Sequence, residues 1–256
     1  MPVERARKSL ALAAWKEDNM HPAESLVNES SAFLHFLEDW YAHLPEASLA
    51  QVLAQPERAA IISIDVIRGF CSEGPLASAR VGKIVEPITH LFQAAWEAGL
   101  RNIVLVQEDH DPKALEFEAW PPHCVRGTAE AQTVEEIKHL PFFDRIKVLY
   151  KNSISSLQGT GLSEWIAGHP QVDLFIAVGD CTDLCTYQLA MDLRLEANAH
   201  QRRRRVIVPA DCTDTYDRTV EAAQREGGLP HPAELMHQVF FYHMALNGVE
   251  VVKNLG

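Results

Sequence analysis

No stretch of this 256-residue chain holds the about 18 uninterrupted apolar residues that a membrane-crossing helix requires. The N-terminal MPVERARKSLALAAWKEDN is basic, but its apolar run is only five residues before Trp15, Lys16, Glu17 and Asp18. That is too short for a secretory core, so the chain reads as cytoplasmic with no membrane partner. Positive charge is also scarce: 23 Lys and Arg face 35 Asp and Glu, a net charge of −12. Such a balance excludes nucleic acid as a general partner. The exception, RRRR at 202–205, falls between a helical segment and a strand and reads as a solvated junction. Cysteine is sparse and odd in number, with five residues at 71, 124, 181, 185 and 212. An odd count without a signal segment argues against a disulfide framework. Cys181 and Cys185 are spaced C-x3-C with no second pair, which weakens a structural zinc reading. Internal repeats and low-complexity segments are lacking as well.

What is present divides at residue 58. Residues 1–57 read as a helical extension packed on the rest. Phe33, Phe36, Leu37, Trp40, Tyr41 and Leu44 form one apolar stripe at helical spacing, with Asn28 or Ser30 as N-cap and Pro45 as stop. Residues 58–256 alternate strands and helices. The strands are AAIISID (59–65), NIVLVQ (102–107), IKVLYK (146–151), VDLFIAVG (172–179), RVIVPA (205–210) and VEVVK (249–253). Helices are expected over 81–99, from Leu184 to Asn198, and over 232–248. Continuous rather than alternating apolar strands separated by helices predict a three-layer α/β/α fold. Its sheet is mostly parallel, of about six strands, and Rossmann-like.

Ligands of such sheets bind beyond the carboxyl ends of the strands. Strand one ends in Asp65, strand two in Glu108-Asp109-His110, and strand three in Lys151. Strand four runs into Cys181 and Cys185, and strand five ends at Asp211. Taken alone, Cys185 is better explained by packing than by chemistry. At the start of a helix, however, free N–H groups and the helix dipole lower a thiol's pKa, and Lys151 would lower it further. Asp65 is then placed to accept the thiol proton and deliver it to a leaving amine, while N–H groups near Cys181 and Cys185 form an oxyanion hole. This assembly suits acyl transfer from an amide or a related carbonyl compound. Cys181 reads as a loop residue contributing its N–H rather than as a redox partner.

The Pro-rich loop QEDHDPKALEFEAWPPHCVRGT (107–128) brings Glu108, His110, Glu116 and His123 close in sequence. Two carboxylates and two imidazoles match a borderline divalent ion such as zinc, manganese or iron. Acidic loops often hold a histidine without any metal, so spacing leaves both readings open. Phe70 and Trp120 are candidate walls for a flat substrate ring, with ordinary loop anchoring as the alternative.

Four of these stretches occur together and in order: IDVIRGFCSEGPL (64–76), EDHDP…EFEAWPPHCVRGT (108–128), YKNSISSLQGTGL (150–162) and VGDCTDLCTYQLAMDLR (178–194). With the tail NGVEVV (247–252), the chain resembles the isochorismatase-like cysteine hydrolase superfamily, nicotinamidase branch, over about 58–253. The resemblance implies Asp65 and Lys151 as catalytic residues and Cys185 as nucleophile. It places an oxyanion hole at the N–H groups of Cys181 and Cys185, and a cis peptide at Asp180–Cys181. It also implies a divalent metal on His110, His123 and Glu116, which anchors a pyridine nitrogen. Where the family has Asp, the first ligand position here carries Glu108; Asp109 points elsewhere if the strand alternates. The implied activity is hydrolysis of nicotinamide or a similar small amide to acid and ammonia, in a homo-oligomer. Two other readings stand beside it: a hydrolase of another amide or carbamoyl compound, and a catalytically silent binding protein.

Overall fold

A computed structural model describes residues 22–256, with side chains from Leu26 onward. The basic N-terminal segment and the first part of the 1–57 extension therefore lie outside the described residues. Seven strands form one sheet: β1 (Ala59–Ile64), β2 (Ile103–Glu108), β3 (Lys147–Lys151), β4 (Leu174–Asp180), β5 (Arg205–Pro209), β6 (Thr213–Asp214) and β7 (Glu250–Val252). Their order is β3-β2-β1-β4-β5-β7, β6 pairs with β4, and every pairing is parallel. The six long strands match the expected ones. The seventh, β6, is two residues long and too short to carry an apolar pattern.

Helices of seven or more residues among the described residues are α1 (Pro22–Ala42), α2 (Val85–Glu97), α3 (Leu162–Gly168), α4 (Cys185–Ala199), α5 (Val220–Glu226) and α6 (Ala233–Leu246). The helix expected over 81–99 starts later, after a separate turn of helix at Ala79–Gly82. Pro87 explains the start: without an N–H it fits the first turn of α2, where that group has no intrahelical partner.

Both faces of the central strands are buried, as their unbroken apolar composition requires. Ile61, Leu105, Ile176 and Ile207 face Ile88, Leu91 and Phe92 of α2. On the other face Ile62, Val104, Phe175 and Val206 meet Leu189 of α4 and Phe241 and Met244 of α6. Each such side chain contributes roughly 1.5–3 kcal/mol on leaving water. The ends of β1 and β4 approach so closely that Gly179, at φ +114°, has no room for a side chain. A Cβ there would stand 2.0 Å from the Ile64 carbonyl oxygen.

Asn28 and Ser30 do not cap α1; the helix already runs from Pro22, so both lie inside it. Leu37 and Leu44 are buried as the stripe predicts, whereas Phe33 and Phe36 stay 41% and 50% exposed. These two and Trp40 gather around Tyr242 of α6 at centroid distances of 5.4, 5.8 and 5.4 Å. One turn on, the Tyr41 hydroxyl lies 2.9 Å from His237 Nε2, and His237 Nδ1 lies 2.8 Å from the Thr182 hydroxyl. The RRRR stretch joins α4 to β5 as expected. Arg202 and Arg204 pair with Glu196, and Arg205 with Glu250. No described helix is long and apolar enough to cross a membrane.

Candidate active site at the strand ends

Asp65 directly follows β1 with φ +56°, a left-handed conformation that aspartate tolerates better than most residues. This turn sends its carboxylate sideways, where Oδ1 accepts the Glu108 N–H at 2.8 Å. Glu108 and Lys151 are register partners at the ends of β2 and β3. Lys151 Nζ lies 2.8 Å from Asp65 Oδ2, 2.7 Å from Glu108 Oε1 and 3.5 Å from Cys185 Sγ. Burial would strip the ammonium of its proton, but Asp65, Cys185 and Glu108 hold its pKa well above the ordinary value. Burial and the nearby Glu108 push Asp65 up to about 6 against the pull of Lys151. The structure thus brings Asp65, Lys151 and Cys185 into one buried cluster.

Cys185 opens α4 and is 5% exposed. Its sulfur and the carboxylate oxygens of Asp65 and Glu108 all lie within 4.8 Å of one another. The expected lowering of its pKa is not found. Burial, reinforced by Asp65 and Glu108, pushes the thiol well up although Lys151 pulls it down. The sulfur is directed toward Glu108 Oε1 at 3.9 Å. The Asp180–Cys181 peptide is cis, at the place the resemblance implies. In the turn that follows, the Leu184 and Thr186 N–H groups donate to the Cys181 carbonyl. Among the described residues, the Cys181 and Cys185 N–H groups have no acceptor. Asp183 pins this turn, accepting from the Thr215 hydroxyl at 2.6 Å and lying 2.7 Å from His231 Nε2.

Glu108, His110, Glu116 and His123 also converge, with donor atoms within 4.8 Å of one another. Asn152 Oδ1 accepts the Asp111 N–H and lies 3.1 Å from His110 Nδ1, which fixes that nitrogen as the protonated one. His123 Nδ1 likewise donates to the Pro121 carbonyl at 2.8 Å. Both Nε2 atoms then face Glu108 Oε2, at 3.2 and 3.0 Å. His110 Nε2 is buried without a hydrogen-bond partner, and two imidazole nitrogens and two carboxylates meeting at one point form a donor set for a cation. The donor set therefore fits a divalent ion, with Asn152 and Pro121 orienting the imidazoles from behind. Burial would lower the His110 pKa, but Glu108 outweighs it and the net shift is upward. Lys151, with His110 and His123, pulls Glu108 well below the usual carboxylate range despite its burial.

Asp65 and Cys185 of the first cluster and Glu108, Glu116 and His123 of the second line one cavity of about 470 Å³ including its open mouth. Phe70 and Trp120 both line it. Leu76, Val81, Ile154, Leu184, Tyr216 and Asp180 complete its walls and were not anticipated. Tyr216 follows β6 and stacks on His231 at 4.0 Å, so the unread strand concealed it. Asp109 points away from the site to Arg126 at 2.6 Å, following strand alternation. Asp211 is not brought to this rim; it is exposed beside a different cleft with Lys83, Glu86 and His90. All five cysteines are free and buried.

The curated relatives include Nicotinamidase 1 of Arabidopsis thaliana, 26% identical over 221 residues, spanning 80% of this chain and 89% of that protein. Nicotinamidase/pyrazinamidase of Mycobacterium tuberculosis is 28% identical over 183 residues, covering 64% of this chain and 92% of that one. Among solved structures, the pyrazinamidase of Pyrococcus horikoshii in complex with zinc superposes with a TM-score of 0.58 at 22% identity, over 77% of this chain and 99% of that one. The N-carbamoylsarcosine amidase of Thermoplasma acidophilum gives 0.56 at 22% identity, over 77% and 96%. At those identities the likeness establishes a shared fold. Residues 59–251, which carry both clusters and all of the sheet but the last residue of β7, match the Isochorismatase domain, and the chain belongs to the isochorismatase family.

Proposed function

We propose that the protein is a cysteine-dependent amidohydrolase of the nicotinamidase type, converting nicotinamide or a similar small amide to the acid and ammonia. The observation that carries this reading is the placement of Lys151 Nζ within 3.5 Å of Cys185 Sγ and 2.8 Å of Asp65. The nicotinamidase names of its relatives support it.

In this mechanism Asp65 takes the Cys185 proton as sulfur attacks the amide carbon. Deprotonation coincides with attack, because a free thiolate is disfavoured in so buried a site. Lys151 offsets the negative charge passing between sulfur and carboxylate. The carbonyl oxygen, as it gains charge, is held by the Cys181 and Cys185 N–H groups. Asp65 returns the proton to the departing nitrogen, so ammonia leaves and a thioester remains. Water then attacks the thioester, Asp65 again takes the proton, and the acid leaves with the Cys185 thiol restored. Phe70 and Trp120 flank a flat substrate. Glu108, His110, Glu116 and His123 would hold a divalent ion, zinc, manganese or iron, which supplies a Lewis-acid anchor for a substrate ring nitrogen.

The segment 1–57 is an extension packed on a 58–256 hydrolase domain in this reading. The exposed Phe33, Leu34 and Phe36 on α1 support a homo-oligomer. The test of function is ammonia release from nicotinamide by the purified protein, with and without zinc, manganese or iron, beside Cys185→Ala. Release that requires Cys185 supports the proposal; no release from wild type under any metal condition rejects this substrate.

A further inference from the structure

Asp180 ends β4, one peptide bond before the turn that carries the proposed oxyanion donors. Strand alternation puts its side chain on the face of Ile176 and Val178, where Phe70 and Val81 also pack. It is 1% exposed, yet neither carboxyl oxygen has a hydrogen-bond partner. It lines the same cavity as Cys185. The cations nearby are committed elsewhere. Arg80 donates to Asp214 at 2.8 and 3.1 Å and reaches Glu234, while Lys151 is held by Asp65 and Glu108.

A buried polar group left without a partner is costly, and an aliphatic side chain among Phe70, Leu76 and Val81 would carry no such penalty. The unused carboxyl on the wall of that cavity needs an occupant that pairs with it. Burial, together with Asp65 and Glu108, pushes its pKa well up, and in either protonation state an unpartnered carboxyl oxygen is free to accept. Resting on the amidohydrolase reading, we propose that Asp180 is a specificity-determining residue selecting small amides that carry an N–H donor beyond the scissile carboxamide. Plain apolar rings leave the Asp180 carboxyl unpaired in the complex and are discriminated against for that reason.

The test compares isosteric pairs, amino- against methyl-substituted nicotinamides at ring positions 2, 5 and 6. Calorimetry on full-length, zinc-supplemented Cys185→Ala gives the amino-to-methyl affinity ratio at each position. At one position the ratio is expected to be about 10 to 100, dropping below about 3 in Cys185→Ala/Asp180→Leu and recovering in part in Cys185→Ala/Asp180→Asn, which keeps an acceptor oxygen. A ratio near one at every position, a ratio that survives Asp180→Leu, or no binding of any compound overturns the proposal. Should the leucine variant not fold, a crystal structure of Cys185→Ala with the tightest amino compound decides. The amino nitrogen within hydrogen-bond distance of Asp180 supports the proposal, and its placement elsewhere overturns it. Ammonia release by wild type is scored separately and judges the amidohydrolase reading, whereas the binding ratio judges Asp180.

Discussion

Glu108 and Lys151 close adjacent parallel strands at the same register, and the carboxylate Oε1 stands 2.7 Å from the ammonium nitrogen. The other oxygen of the same carboxylate faces the two imidazoles at 3.0 and 3.2 Å. One glutamate therefore belongs to both clusters, and its longer side chain spans them. Charge changes on either side must be felt on the other.

Lys151→Met tests the cation's role in the fold as well as in chemistry. It leaves Asp65, 0% exposed, without a counter-charge and strips Glu108, 2% exposed, of its nearest cation. Removing one partner of a buried ion pair costs about 3–5 kcal/mol, and urea unfolding at pH 7 should show a loss of that size. Ammonia release should fall at least about 100-fold. A stability loss under about 1 kcal/mol would mean that the carboxylates have another source of compensation.

Asn152→Ala removes the acceptor behind His110 without touching a donor atom of the tetrad. Loss of such an orienting partner is expected to weaken divalent metal binding about 10–100-fold. Competition titration against a chelating dye measures it. Unchanged affinity would show that the imidazole is held by packing alone.

Gly179→Ala forces a methyl group to 2.0 Å from the Ile64 carbonyl oxygen at a φ of +114°. The β1–β4 pairing must open to admit it, at an expected cost of at least about 3 kcal/mol. Thermal denaturation reports the result, and a variant as stable as wild type contradicts the close approach.

His237 sets a pH dependence of stability. Burial lowers its pKa from 6.5 to about 4, so between those values the unfolded chain binds a proton that the folded one refuses. Stability is full above pH 6.5 and falls as pH drops toward 4, by on the order of 3 kcal/mol from this group. In urea titrations across that range His237→Gln should flatten the slope. A parallel curve for the variant would assign the acid sensitivity to other groups.

The parallel strands were legible because burial on both faces leaves an unbroken apolar run, as in AAIISI and LFIAVGD. The residues after four of those runs, Asp65, Glu108, Lys151 and Cys185, could be read as one rim from topology alone. Asp211 could not be excluded that way, because a short 3-10 turn at Ala210–Cys212 carries it off the rim. Tyr216 and Asp180 escaped for different reasons. Tyr216 depends on a two-residue strand with no periodicity, and Asp180 on the lack of partners, which only coordinates reveal. The thiol's upward shift was hidden likewise: helix position and a lysine neighbour are visible in sequence, whereas depth of burial is not.

The chain Tyr41–His237–Thr182 has a bearing on how this enzyme family's shared module can be isolated from this protein. A shortened version beginning at residue 59 would keep every strand but discard the phenol that occupies the outer ring nitrogen. That nitrogen would turn to solvent, and the imidazole now bracing Thr182 beside the cis peptide would be tethered from one side only. The first helix is thus a buttress for the loop bearing the sulfur, reached through a single heterocycle.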